Sequence, residues 1–271
     1  MDKQNIDAVR DFYDSAPQTE WDRLERQPFE FEFTTYMMDK YIRPGDSVLD
    51  IGGGPGRYSI HYAQKGCKVT LAELSGGNVE FAKAKARERG VSLSAHAVNC
   101  LELDSLGLGQ FDHVFLMGPL YHLQKEADRV EAVEAALRHL KPGGKLYVSF
   151  IQLFSGIIYD LQHGGHICED MAVPACRKLA EGVPEGEDYS GPGFTAVYFY
   201  HLRNILPFME RFSVTKLHLF SQEGFLAPNK FQLMERGQEE IKQWTQLAKA
   251  YLEVPELLSW GEHIMYIGEK K

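Results

Sequence analysis

Four glycines in five positions, Gly52-Gly53-Gly54-Pro55-Gly56, follow directly on the apolar run Val48-Leu49-Asp50-Ile51 and precede Arg57-Tyr58. A buried strand that enters a glycine loop and then a helix puts backbone N–H groups and a helix N-terminus against a nucleoside cofactor. Glycine permits positive φ in such a turn and leaves no side chain between ligand and backbone. Spacing narrows the ligand. A dinucleotide fingerprint needs Gly-x-Gly-x-x-Gly; counted from Gly52 its last position is Arg57, and counted from Gly53 its second is Pro55. The spacing that fits is acid-x-Gly-x-Gly-x-Gly, carried by Asp50, Gly52, Gly54 and Gly56.

Around this loop, residues 46–151 alternate short apolar runs with helical patterns, the mark of an α/β core around a parallel sheet. Strands are predicted at Ser47–Ile51, Lys68–Ala72, Ser92–Val98, Asp112–Leu116 and Lys145–Ile151. Helices are predicted after Gly56, over Asn78–Arg89, and over Lys125–Leu140, where Val130, Val133, Leu137 and Leu140 recur at steps of three and four. The last stops at Lys141-Pro142-Gly143-Gly144, a turn into the fifth strand. In the first 45 residues, Phe29, Phe33, Met37 and Tyr41 fall every four positions, so a helix is expected there rather than a strand through Phe29, Phe31 and Phe33. Residues 1–45 are expected to pack on the core as a helical flap.

Residues 152–212 change character. Repeated Gly and Pro through 152–193 make a stretch too long for an ordinary connection, which predicts a cap or lid. A strand at Thr195–Tyr200 and a helix at Leu202–Arg211 close it. Residues 213–271 return to the core, with a sixth strand at Ser213–Phe220, a helix around Ile241, Trp244, Ala248 and Tyr251, and a last strand at His263–Gly268.

Composition removes several functions. Lys plus Arg number 29 against 38 Asp plus Glu, a net charge of −9 with no basic run, so nucleic acid is not an expected partner. No apolar stretch approaches the roughly 18 residues of a membrane span. The first residues, MDKQNIDAVR, lack the apolar centre of a signal peptide. Cys67, Cys100, Cys168 and Cys176 are too few and too scattered for a disulfide framework and read as free thiols. A cytoplasmic protein, monomer or homodimer, with no membrane partner is expected.

The Asp50–Gly56 pattern resembles motif I of class I S-adenosylmethionine-dependent methyltransferases. Those proteins carry an acid at the end of the second strand that grips both ribose hydroxyls. Here Glu73, followed by Leu74, stands 23 residues after Asp50, and a carboxylate, which only accepts hydrogen bonds, suits a vicinal diol. The third strand ends in Asn99-Cys100-Leu101. The family usually has Asp near this point, against the adenine amino group; Asn99 departs from that but offers an amide oxygen. Phe111 to His122, with Met117 and Gly118, is similar to the fourth-strand segment, and Leu140-Lys141-Pro142-Gly143-Gly144-Lys145-Leu146 to a late Leu-Lys-Pro-Gly-Gly element. With its Asp11–Ala16 element the chain looks like the small-molecule branch of the ubiquinone/menaquinone-biosynthesis type.

The resemblance implies a Rossmann-like fold: a seven-stranded, mostly parallel sheet with an antiparallel last strand and helices on both faces. It implies S-adenosylmethionine as cofactor and S-adenosylhomocysteine as product. Tyr13, Asp50, Gly52, Gly53, Gly54, Gly56, Glu73, Leu74, Asn99, Cys100, Leu101, Met117 and Gly118 would hold it, with Asp50 ordering the loop and facing the methionine end. The activity implied is methyl transfer to N or O of a small-molecule acceptor, by positioning and desolvation with at most one general base. Tyr121 and His122, at the carboxyl edge of the sheet, are the catalytic candidates. Thr195, Tyr198 and His201 are candidates for the acceptor pocket. His163, His166, Cys168, Glu169 and Asp170 have metal-ligating types without a recognised ligand spacing, and no metal is expected. The alternatives are a non-catalytic protein that binds S-adenosylmethionine or S-adenosylhomocysteine, a nicotinamide-dependent oxidoreductase, which Arg57 opposes, and an RNA methyltransferase.

Overall fold

The computed structural model describes residues 3–26, 28–163, 177 and 186–271. A seven-stranded sheet carries the architecture: β1 (Ser47–Ile51), β2 (Lys68–Glu73), β3 (Ser94–Ala97), β4 (Phe111–Leu116), β5 (Leu140–Ile151), β8 (Val214–Ser221) and β9 (His263–Lys270). Their order is β3-β2-β1-β4-β5-β9-β8. The first five pair in parallel, and β9 inserts antiparallel to both β5 and β8. This is the expected Rossmann-like sheet. The strand order reverses beside β1 and β4, so their carboxyl ends open the crevice where doubly wound sheets bind ligands.

Alternation along the central strands builds two core layers. Leu49, Ile51, Val114, Leu116, Leu146 and Val148 face one side, where α6 (Glu126–Arg138) and α8 (Leu202–Met209) cover them. Val48, Phe115, Tyr147, Met265 and Ile267 face the other, against α3 (Pro28–Met38), α4 (Arg57–Gln64) and α9 (Gln238–Lys249). The Phe29–Tyr41 stripe is helical through Met38; Phe29, Phe33, Met37 and Met38 are buried. Two more N-terminal helices, α1 (Lys3–Asp14) and α2 (Pro17–Arg26), lean on α5 (Gly76–Glu88). Asp14 fastens this contact by accepting from Ser75 Oγ and, at 3.0 Å, from Gly77 N.

Two expectations need correction. The fifth strand begins at Leu140, not Lys145: Phe111 pairs with Leu140 before the register shifts to His113–Lys145, so Lys141–Gly144 is a detour within the strand, with Gly143 at φ +75°. The strand expected near Thr195 runs over Ala196–Phe199 (β7), and it forms a separate two-stranded sheet with an unanticipated β6 (Tyr189–Pro192). Gly191 and Pro192 disguise β6, because neither favours a strand in isolation. Tyr200 N–H to Ile151 O (2.9 Å) and Leu153 N–H to Tyr200 O (2.8 Å) join this hairpin to the end of β5. Before it lies α7 (Ser155–Gln162). Among the described residues no helix is long and apolar enough to cross a membrane.

Candidate active site

Backbone geometry at the end of β1 explains the glycine loop. Gly52, Gly54 and Gly56 sit at φ +69°, +55° and +84°, a region that disfavours any residue with a Cβ. Their surroundings differ. A Cβ on Gly52 would lie 2.7 Å from Pro119 Cδ, and one on Gly56 would lie 2.9 Å from Ala82 Cβ. Those two glycines let protein pack on protein. Gly53, at ordinary φ, has no room either: its Cβ would lie 2.4 Å from Asp50 Oδ2. At Gly54 the nearest atom is Asn78 Nδ2, at 4.0 Å, so this position opens onto empty space.

That space is a cleft of about 1180 Å³, mouth included, over the carboxyl ends of β1, β2 and β4. The structure brings Tyr13, Asp50, Gly52, Gly53, Gly54, Glu73, Leu74, Asn99, Cys100, Met117, Gly118, Tyr121 and His122 to its wall. Gly56 and Leu101 do not line it. Gly56 instead seats α4 against α5, and Leu101 N–H donates to Asn99 Oδ1 (3.1 Å), capping a 3-10 turn over Cys100–Leu106. One lone pair of the Asn99 oxygen is thus already engaged. Burial pushes the Cys100 thiol up to about 12, which leaves it protonated and inert.

Two buried carboxylates shape the floor. Glu73 Oε2 accepts from Gly54 N (3.0 Å) and Oε1 from Ser75 N (2.9 Å), so it ties the glycine loop to the turn after β2. Burial raises its pKa, and those backbone donors oppose the shift. Each of its oxygens keeps a lone pair for a ligand hydroxyl. Asp50 is 0% exposed; Oδ2 accepts from Ser59 Oγ (2.7 Å), and Oδ1 has no hydrogen-bond partner among the described residues. Burial, reinforced by the Glu73 charge, lifts the Asp50 pKa to about 7.

An acid whose folded pKa is raised binds its proton more tightly in the folded chain. Stability is therefore greatest below the ordinary value of 3.8 and is lost as pH climbs from there to about 7. Asp50→Asn, which keeps an oxygen for Ser59 and cannot ionise, should raise the stability of the ligand-free protein at pH 8 by on the order of 2 kcal/mol. The same change should weaken a cationic ligand. Urea unfolding at pH 5 and pH 8 checks this; a gain that does not grow with pH would contradict it.

His122 and Tyr13 face each other across the cleft. Tyr13 Oη lies 3.1 Å from His122 Nε2, and Thr195 Oγ1 lies 2.9 Å from His122 Nδ1. Thr195 donates onward to Ala196 O (3.2 Å), which sets the direction of the chain: Tyr13 O–H to Nε2, and Nδ1–H to Thr195. Burial depresses the His122 pKa to about 4. Both ring nitrogens are engaged, so in this arrangement His122, one of the two catalytic candidates, is a neutral bridge between Tyr13 of α1 and Thr195. Tyr121 donates to Met117 O (3.2 Å) and places its ring in the cleft.

The expected acceptor residues also change. Of Thr195, Tyr198 and His201, none lines the cleft. Thr195 reaches it only through His122, Tyr198 donates to Asp188 (2.6 Å), and His201 caps α8. His163 is bonded to its own helix at Tyr159 O (2.8 Å). His166, Cys168, Glu169 and Asp170 lie outside the described residues. In their place the cleft gains Arg23 and Glu30 from α2 and α3, Ser149 from β5, Gln222 after β8, and His263 at the start of β9. No motif announces these, because they come from five separate segments. The signal was positional: antiparallel β9 must begin where parallel β5 ends, and Ile151 pairs with His263.

Comparison with known proteins agrees with this geometry. Residues 48–144 match a family described as a methyltransferase domain. The ubiquinone biosynthesis O-methyltransferase of Xanthomonas axonopodis pv. citri is 34% identical over 114 residues, 42% of this chain and 46% of that protein. The protein of the same name from Caulobacter vibrioides is 33% identical over 105 residues, 39% of this chain and 40% of that one. The chain thus spans less than half the length of these curated relatives. Magnesium protoporphyrin IX methyltransferase from Synechocystis PCC 6803, with bound S-adenosylhomocysteine, superposes over 98% of this chain and 100% of that one, with a TM-score of 0.59 and 15% identity. The N-methyltransferase NodS from Bradyrhizobium japonicum WM9 covers 92% of this chain and 90% of its own, with a TM-score of 0.53 and 13% identity. The [4+2]-cyclase SpnF is similar too, at a TM-score of 0.54 and 18% identity over 88% of this chain and 79% of its own, so the shape alone does not fix the reaction. Residues 48–144 thus match the methyltransferase-domain family, and the seven-stranded sheet they help build has the same Rossmann-like fold as these solved structures.

Proposed function

We propose that this protein transfers a methyl group from S-adenosylmethionine to oxygen or nitrogen of a small-molecule acceptor. One observation carries the reading. Asp50 Oδ1, buried and without a partner, shares a cleft with the open face of Gly54 and the spare lone pairs of Glu73. A ligand that is cationic at one end and carries a vicinal diol at the other satisfies all three.

When bound, S-adenosylmethionine supplies an electrophilic methyl on a positively charged sulfur. The chain's own residues do the rest. Asp50 faces the positive end, whose charge offsets the burial that otherwise holds its proton on. Glu73 accepts from the ribose hydroxyls and keeps Gly54 N–H in register. Gly54 lets the ligand approach the backbone, and Asn99 with Val98 and Cys100 flanks the base. Tyr13, bonded to His122, brings α1 over the cleft and helps exclude water. Positioning of this kind supplies roughly 7–11 kcal/mol in well-oriented reactions.

The ubiquinone-biosynthesis relatives favour a small acceptor. The net charge of −9 supports a partner other than nucleic acid; a place in the cytoplasm, as monomer or homodimer, is part of the same proposal. Titration calorimetry should give micromolar binding of S-adenosylmethionine and S-adenosylhomocysteine; no heat with either, in folded protein, rules the proposal out.

A further inference from the structure

Beside the glycine loop and the Tyr13–His122 bridge, the cleft holds a histidine paired with a buried carboxylate. His263 Nδ1 lies 2.6 Å from Glu223 Oε1. Glu223 is 1% exposed, and its other oxygen accepts from the backbone N–H groups of Glu262 and His263, both at 3.0 Å. Three donors therefore fix the carboxylate, and the carboxylate fixes the ring. The imidazole itself is 20% exposed and lines the cleft near Ser149, Gln222 and Tyr121, away from the glycine loop. With Nδ1 committed to Glu223, Nε2 is the nitrogen left for a ligand. A nitrogen base oriented by a buried carboxylate is the arrangement that removes a proton from a nucleophile.

We propose that His263, aligned by Glu223, takes the proton from the methyl-accepting group, and that this group is a weakly acidic hydroxyl, a phenol or an enol. The inference rests on the methyltransferase reading. The step balances: the acceptor O–H bond breaks and its proton goes to Nε2, the oxygen forms a bond to the methyl carbon, and the carbon–sulfur electron pair returns to sulfur. The proton leaves His263 for solvent after the product departs.

The groups facing His263 decide which hydroxyl suits. Burial works against its charge, but Glu223 in contact, Glu30 close beside the pair and Glu262 next in sequence outweigh that and hold its pKa at about 9. Lys230, buried against Glu262, lowers the pKa of Glu223 and so helps to keep its carboxylate charged. A base at about 9 is matched to a phenol near 10, and proton transfer between them costs little. An aliphatic alcohol is far weaker as an acid, and an uncharged amine needs no base. Glu30, Glu223 and His263 also have ligand atoms within 4.8 Å of one another, so a divalent cation is the competing occupant to be tested.

Wild-type protein should methylate catechol or the enol of acetylacetone, with kcat rising about tenfold per pH unit and levelling near pH 9. His263→Ala should lower kcat at pH 8 by about 100-fold or more, while calorimetric affinity for S-adenosylhomocysteine stays within about threefold. Added imidazole should restore part of the loss, which a merely structural histidine would not allow. Glu223→Gln should lower the pH at which labelled His263 titrates by nitrogen NMR, a readout that needs no turnover. The proposal is overturned if neither probe is methylated by protein that binds the cofactor, or if His263→Ala keeps more than a third of the wild-type rate. It is also overturned if EDTA abolishes turnover and a divalent cation restores it. Failure to bind the cofactor at all would instead count against the methyltransferase reading beneath it.

Discussion

Glu73→Ala should weaken S-adenosylhomocysteine by about 100-fold to 1,000-fold. Glu73 faces the cleft with one spare lone pair on each oxygen, and its other two hold Gly54 and Ser75. Hydrogen bonds to a charged group are worth about 1.5–3 kcal/mol each, and two to a ribose diol amount to about 3–4 kcal/mol once incomplete additivity is allowed for. The truncation also frees the Gly54 amide, so the loop loses its tether along with the ligand's partner. Glu73→Gln should fall between the two, since an amide keeps one acceptor. Calorimetry decides: affinity within threefold of wild type in Glu73→Ala would remove Glu73 from the ribose role.

The second large effect separates two adjacent reasons for glycine. Gly52→Ala combines positive φ with a Cβ driven into Pro119 at 2.7 Å. Left-handed backbone costs about 1–2 kcal/mol and overpacking about 1–3, so a loss near 3 kcal/mol is expected, with a fall in Tm of several degrees. Gly54→Ala has the same φ problem but meets nothing closer than 4.0 Å. It should cost about 1 kcal/mol of stability and yet at least tenfold in cofactor affinity, because the new methyl group points into the cleft. Paired melting and calorimetric curves test this. Equal stability losses in the two variants, or unchanged affinity in Gly54→Ala, would show that the loop is built for packing alone.

The core of this fold is legible in the sequence because local pattern and tertiary role coincide there. Val48 to Ile51 must be a buried strand, and glycines after it must turn. What the pattern hides is which neighbour each glycine avoids: Gly52 and Gly56 spare Pro119 and Ala82, and only the folded chain brings these together. His122 illustrates a different failure. Its residue type and place suggest a base, but the partners that occupy both its nitrogens, Tyr13 and Thr195, lie 109 and 73 residues away. His263 escapes notice for the converse reason: a lone histidine opening the last strand acquires meaning only through Glu223, 40 residues earlier in the chain. β6 was invisible because pairing with β7, rather than its own composition, makes Tyr189–Pro192 extended.

The attachment of α1 carries one more consequence. Asp14 hangs on Ser75 and Gly77, Tyr13 hangs on His122, and Ile6, Val9 and Arg10 of the same helix border the cleft. Whatever occupies the cleft therefore shares surface with the docked helix, and the two events are thermodynamically reciprocal: occupancy favours the seated helix by the same factor by which the seated helix favours occupancy. The amino terminus is thereby wired into ligand affinity.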